Sequence, residues 1–204
     1  MLSRERDRYQ FEKLQYKFPS RSGVDVGQIG MVEQPPQFDG IEKRRKALNG
    51  PDFYEKLLAF GSITLFVIVA ISLIKGIAQW AQMPPLVWGH LALVLVPLAI
   101  TPVQLFRRRG DRAHAVLGWV WAVCLFITAM LSFGIRGIND GQFSFIHVLS
   151  VVTVATVPFL VWSARTGKLE RHRSAVRGLV TGALLTAGFF TLIPGRLLGE
   201  WLLS

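Results

Sequence analysis

Residues 65–71 read Leu-Phe-Val-Ile-Val-Ala-Ile, and no position in this stretch offers a polar side chain to water. A helix of a soluble bundle shows a polar face every few residues, so this stretch is typical of a helix surrounded by lipid. It lies inside Leu57–Ile74, a run of 18 residues without a charge. A bilayer core about 30 Å thick needs roughly 20 residues of helix, so this run predicts a membrane span.

The same pattern recurs along the rest of the chain, which is 51% hydrophobic and only 18% charged. The charge-free runs are Leu57–Ile74, Gly76–Phe106, Ala113–Ile135, Gly141–Ala164 and Gly178–Gly195. The second run is long enough for a loop and a span, and Pro84-Pro85 marks the join. The sequence therefore predicts an all-α integral membrane bundle with five transmembrane helices, near 54–80, 86–106, 112–136, 143–165 and 174–199.

The basic residues predict the orientation of these helices, because Lys and Arg gather in cytoplasmic loops. With five spans, 20 of the 23 Lys and Arg residues fall on the side of the N-terminus. We therefore expect residues 1–52 to form a cytoplasmic arm with short helices and residues 53–204 to form the transmembrane domain, with the C-terminus outside. The net charge of +10 fits attraction to anionic lipid headgroups, and nucleic acid is not an expected partner.

Four histidines lie at the beginnings of four successive predicted spans and suggest a haem site. Because neighbouring helices run in opposite directions, His90 and His147 lie toward the outer surface, whereas His114 and His172 lie toward the cytoplasm. Neutral imidazoles on facing helices are suitable axial ligands for a haem iron. His90 lies roughly 7 Å into its span, so the outer pair is the predicted ligand pair for haem b. Alternatively, each histidine is an interfacial polar residue or a hydrogen-bond partner between helices.

The inner histidine pair lies among arginines and is the second candidate for a cofactor. His172, for example, stands between Arg171 and Arg173 at the water boundary. We expect this surface to contact anions or lipid headgroups. The arginines predicted to make these contacts are Arg107, Arg108, Arg109, Arg112, Arg171, Arg173 and Arg177.

The motifs of soluble enzymes do not occur in the sequence, which has no P-loop, GxGxxG, HExxH or CxxC. The single cysteine, Cys124, excludes an internal disulfide. We predict no catalytic residue and expect an accessory or scaffold subunit of a larger membrane complex. Its partners would bind residues 1–52 and small-residue helix faces such as that of Gly178 and Gly182. The alternative is a b-type cytochrome-like protein for transmembrane electron transfer, in which case the chain is a membrane oxidoreductase.

Several stretches of the sequence point to one family. They are residues 172–179 (His-Arg-Ser-Ala-Val-Arg-Gly-Leu), residues 190–198 (Phe-Thr-Leu-Ile-Pro-Gly-Arg-Leu-Leu), Gly89-His90 at the start of a span, and His114 with Gly118. This pattern resembles the C-terminal four helices of the bacterial domain-of-unknown-function 2306 family. Where that family has His-Arg-x-x-Gly-Arg, the present chain has Ala115 and Trp119 at the arginine positions. The resemblance implies a bacterial inner-membrane protein with no assigned activity, and the orientation predicted from the basic residues then places its C-terminus in the periplasm.

Overall fold

The computed structural model describes residues 50–135 and 145–204, and every regular segment in these ranges is helical. The first helix begins with a reciprocal cap, as the carboxylate of Asp52 accepts the backbone N–H of Glu55 at 2.9 Å. Glu55 in turn accepts the N–H of Asp52 at 3.2 Å, which fixes the start of the helix. The helices are α1 Phe53–Lys75, α2 Pro85–Phe106, α3 Arg112–Ser132, α4 Phe145–Arg165, α5 Leu169–Leu179, α6 Ala187–Phe190 and α7 Leu197–Leu203. A 3₁₀ segment, Ile77–Gln82, follows α1, and a π-helical segment, Val180–Thr186, joins α5 to α6.

Four of these helices, α1 to α4, are long and apolar enough to cross a membrane. The prediction of a multi-pass helical membrane protein is confirmed to this extent. The first predicted span extends to residue 80, whereas α1 ends at Lys75 and the chain continues as the 3₁₀ segment. The predicted arm up to residue 49, the end of the third predicted span at 136 and the start of the fourth at 143 lie outside the described residues.

The region predicted as the fifth span, 174–199, differs from one continuous helix. Helical backbone runs from Leu169 through the π-helical segment to Phe190, and a turn then leads into α7. The turn contains Pro194, which has no backbone N–H to donate, and Gly195, whose φ of +83° is left-handed. The carboxylate of Glu200 stabilises this turn by accepting the N–H of Gly195 at 2.6 Å. A fifth crossing stays a prediction.

The bundle places apolar side chains outside and small hydroxyls inside. On α1, Phe60 is 61% exposed and Ile74 is 70% exposed, whereas Ser62 and Ser72 are completely buried. Each serine hydroxyl donates to the carbonyl four residues earlier, so its polarity is satisfied within the helix. Large exposed apolar side chains and small buried hydroxyls suit a helix that packs against other helices inside lipid.

Consecutive helices from α1 to α5 pack on one another, whereas the C-terminal helix α7 returns to α1. The indole of Trp201 lies so close to Gly76 that a methyl group at this glycine would overlap with it. The Nε1 of the same indole donates to Oε1 of Gln79 at 2.7 Å. The ammonium of Lys75 donates to the carbonyl of Leu202 at 2.6 Å. These contacts fix α7 to the Lys75 end of α1.

Candidate functional site

A cavity of about 320 Å³ lies inside the bundle and is lined by all four candidate spans and by the helical stretch 180–190. Its wall is mostly apolar, with Leu91, Leu98 and Leu125 among the buried lining residues. Two histidines also line it, His90 from α2 and His147 from α4. The structure therefore brings the outer pair predicted from the sequence to one cavity.

The imidazole of His90 has a defined orientation. Its Nδ1 lies 3.1 Å from the backbone carbonyl oxygen of Thr128 on α3. A carbonyl oxygen only accepts hydrogen bonds, so this contact places the hydrogen on Nδ1. The lone pair is then on Nε2, which is the arrangement that an imidazole needs to ligate a metal.

His147 and several hydroxyl groups complete the polar part of the cavity wall. His147 is only 6% exposed, and its ring centroid is 6.3 Å from that of Phe133. The hydroxyls of Ser132 and Ser150 lie 2.6 Å apart and form a hydrogen bond between α3 and α4. The buried Oγ1 of Thr128 has no hydrogen-bond partner among the described residues. Its hydroxyl is therefore available to a ligand in the cavity.

One charged side chain also reaches this wall. Arg196 is the one charged residue among the described residues that line the cavity. It lies in the turn between α6 and α7, at the Lys75 end of the bundle. A guanidinium at the edge of an apolar cavity favours a ligand with an anionic group.

The inner histidine pair lies outside this cavity, so the structure does not unite all four histidines. His172 on α5 places Nδ1 3.2 Å from the carbonyl oxygen of Leu160 on α4. His114, at the start of α3, has a buried Nδ1 with no hydrogen-bond partner among the described residues. The second cofactor site, at these two residues, stays a prediction.

A group of charged side chains, here named the Glu55 cluster, joins three parts of the chain. It consists of Asp52 and Glu55 at the start of α1, Arg109 in the α2–α3 loop, and Arg173 and Arg177 on α5. The side chain of Glu55 is only 1% exposed. It accepts a hydrogen bond from Arg109 at 2.6 Å and two from Arg173 at 2.5 and 2.8 Å. Arg177 pairs with both carboxylates. The arginines offset the cost of burying the Glu55 charge.

Four of the seven arginines predicted to contact lipid or anions form ion pairs within the chain. Three belong to the Glu55 cluster, and Arg107 pairs with Asp111 at 2.9 Å. The other three, Arg108, Arg112 and Arg171, are exposed. Lipid or anion contact stays a prediction for the whole set. The paired arginines already form ion pairs within the chain, so contact with lipid or anions would be a second role for them.

Asp111 has two functions in the loop between α2 and α3. Its carboxylate pairs with Arg107 and also accepts the backbone N–H of His114 at 2.6 Å, which caps α3. These hydrogen bonds, that from Arg107 first, hold the pKa of Asp111 below its ordinary value of 3.8. The same carboxylate raises the pKa of Arg107. The loop is thus fixed by charge-assisted hydrogen bonds at the surface.

Glu55 is not among the residues that were singled out from the sequence. A signal was present, because Asp52 and Glu55 have the three-residue spacing of a capping box. A carboxylate at the start of an apolar run, in a chain with two arginine-rich loops, should find basic partners. Which arginines it meets depends on helix packing and could not be read from spacing.

These features define a class, a multi-pass helical membrane protein with a histidine-lined cavity inside the bundle. Comparisons with protein-family models, with curated proteins and with solved structures find no match for this chain. The resemblance to the domain-of-unknown-function 2306 family therefore stays a prediction. The function has to be argued from the site itself.

Proposed function

We propose that the cavity binds haem b through His90 and His147, and that the chain is a b-type cytochrome-like protein for electron transfer in the membrane. The observation that carries this proposal is that both histidines line one cavity. They come from α2 and α4, the two helices that flank α3. Two imidazoles on different helices of a bundle are a common way to hold a haem iron.

The chemistry of the cavity residues fits this group. The Nδ1 of His90 donates to a backbone carbonyl, and ligating histidines usually have such a partner on the other ring nitrogen. Arg196 would neutralise a carboxylate on the ligand. When bound, a haem would supply one-electron redox chemistry.

The protein's own contribution would be orientation and exclusion of water. The carbonyl of Thr128 keeps His90 in one tautomer and one ring orientation. The buried leucines of the wall keep water away and lower the local dielectric constant, which tunes the potential of a bound redox centre.

The test is the absorption spectrum of the full chain, expressed with a haem precursor and purified in mild detergent. We expect a Soret band and, after reduction, an α band. His90→Ala and His147→Ala should each lose these bands. His172→Ala is the matched control, because His172 also contacts a backbone carbonyl but lies outside the cavity, and its spectrum should match that of the wild type.

Two results would contradict the proposal. One is a folded, helical preparation that stays colourless after incubation with haemin. The other is a haem spectrum that survives both cavity substitutions, since the iron would then have other ligands. Circular dichroism of each variant shows whether the loss of a band reflects loss of the fold.

We also propose that the chain lies in the bacterial inner membrane with the Glu55 cluster toward the cytoplasm and the cavity toward the periplasm. The distribution of basic residues supports this orientation, because the segments beside the cluster are rich in arginine. The accessory-subunit role, through residues 1–52 and small-residue helix faces, stays a prediction, and residues 1–49 of that arm lie outside the described residues. Co-purification with and without that arm would test it.

A further inference from the structure

We propose that a groove between α4 and α5 binds one anionic phospholipid, with its phosphate on Arg171 and Ser174 and one acyl chain along the groove. The groove has a volume of about 610 Å³. One wall is formed by α4 and the other by α5 and the π-helical segment. The groove adjoins the histidine-lined cavity, since Leu149, Thr153 and Ala183 line both, but neither His90 nor His147 lines the groove.

The length of the groove matches one lipid leaflet. Along α4 its wall extends from Val148 to Phe159, which is about 16 Å at 1.5 Å per residue. Half of a hydrocarbon core about 30 Å thick is about 15 Å. Val148, Val152 and Phe159 are 54%, 56% and 42% exposed, so the wall is apolar and open to lipid. An acyl chain is the occupant that this length and polarity suit.

The opposite wall leaves room for that chain. Gly178 is exposed, and a Cβ atom there would meet nothing within 4 Å. At Gly182 a Cβ atom would lie 3.6 Å from the side chain of Leu149, which is ordinary contact. The surface of α5 is therefore open beside Gly178 and packed against α4 at Gly182, and His172, next to Arg171, also contacts α4.

At the start of α5, Arg171 is the one charged side chain among the described residues that line the groove, whereas Thr153 and Thr156 add hydroxyls to its α4 wall. Arg171 and Ser174 line the groove there and are exposed. Within the described part of the chain, no hydrogen bond or ion pair engages either side chain. A guanidinium beside a hydroxyl is suited to a phosphate group. Arg171 differs in this respect from Arg173 and Arg177, which pair with carboxylates.

The surroundings favour an anionic headgroup over a zwitterionic one. Residues 50–56, 107–112 and 165–177, which form this end of the bundle, hold ten Lys and Arg residues against four Asp and Glu residues. This positive excess attracts anionic lipids and would add to the contact with the phosphate.

The test is native mass spectrometry of the full chain, delipidated in detergent and titrated with phosphatidylglycerol or with phosphatidylcholine of the same acyl chains. We expect one phosphatidylglycerol per chain, bound about tenfold more tightly than phosphatidylcholine. Arg171→Gln should weaken phosphatidylglycerol binding about tenfold and remove the preference, because it removes a charge-assisted hydrogen bond. Gly178→Leu should abolish tight binding of both lipids by filling the groove.

Matched controls separate this site from general attraction to a basic surface. Arg108→Gln removes the same charge from an exposed position in the loop between α2 and α3, and Gly178→Ala adds only a methyl group. Both should bind phosphatidylglycerol like the wild type. The proposal is overturned if Arg108→Gln weakens binding as much as Arg171→Gln does, or if Gly178→Leu, shown to be folded by circular dichroism, still binds one lipid tightly.

Discussion

Replacing Glu55 by Gln should destabilise the bundle more than any other single loss of a carboxylate among the described residues. Gln has nearly the same size and keeps an amide oxygen that can accept the N–H of Asp52, so the helix cap survives. What changes is the charge at a side chain that is 1% exposed. Arg109 and Arg173 then lose the carboxylate to which they donate at 2.5–2.8 Å.

The expected loss of stability follows from the burial of Arg109 and Arg173, the two arginines that donate to Glu55. Removal of one member of a buried ion pair costs about 3–5 kcal/mol. The side chains of Arg109 and Arg173 are 22% and 17% exposed, so water can partly solvate their charges after the substitution. We therefore expect the lower end of this range, a loss of about 3 kcal/mol. For a chain of this length, 1 kcal/mol corresponds to a shift of about 2–4 °C in Tm, so the variant should melt about 6–12 °C lower.

Thermal unfolding in a fixed detergent, followed by circular dichroism at 222 nm, provides the measurement. Glu170→Gln is the matched control, because Glu170 on α5 is exposed and its loss should change stability by no more than about 0.5 kcal/mol. If contact with Arg173 carries the effect, Arg173→Gln should cost much less in the Glu55→Gln background than in the wild type. Equal Tm values for Glu55→Gln and Glu170→Gln would refute the reasoning.

Three further predictions concern other parts of the bundle. Gly76→Ala should lower the free energy of unfolding by about 1–3 kcal/mol, because the added methyl group overlaps the indole of Trp201. Gly178→Ala lies on an open helix face and should not lower it, and unfolding curves of the two variants test this difference. The stabilisation from Asp111 is present above pH 3.8 and is lost as pH falls through its lowered pKa, so the difference in Tm between wild type and Asp111→Asn should shrink below pH 4. In a Cys124→Ala background, Ser204→Cys should react with an impermeant maleimide from the periplasm, and protection there would contradict five crossings.

Much of the helical architecture could be predicted because the membrane spans of this chain are continuous apolar runs in the sequence. The starts of α2 and α3 follow from Pro85 and from Asp111, whose local chemistry permits a helix to begin there. The end of α1 could have been inferred from Lys75 and Gly76, which caps the helix, whereas the packing of Trp201 against Gly76 could not. The break after Phe190 could have been inferred from Pro194 and Gly195.

The candidate site could be predicted only in part, for a similar reason. Helix direction alone indicates that His90 and His147 lie at the same end of the bundle, and the structure adds that they share a cavity. The Glu55 cluster is different, because its arginines come from positions 109, 173 and 177 and meet only after packing. A sequence shows which residues are basic, but the pairing of charges is a property of the tertiary structure.

The two ends of α1 together support the fifth crossing. At its start, Glu55 pairs with Arg173, near the beginning of the helical stretch 169–190. At its other end, Gly76 and Lys75 contact Trp201 and Leu202, which follow that stretch. Between these two ends, Gly188 packs against Leu65 in the middle of α1, so the helical stretch reaches about halfway along α1 and the turn and α7 follow the rest. If α1 crosses the bilayer, as its length and apolarity indicate, the chain from 173 to 202 beside it covers the same distance in two helical pieces, and a fifth crossing built in this way stays a prediction.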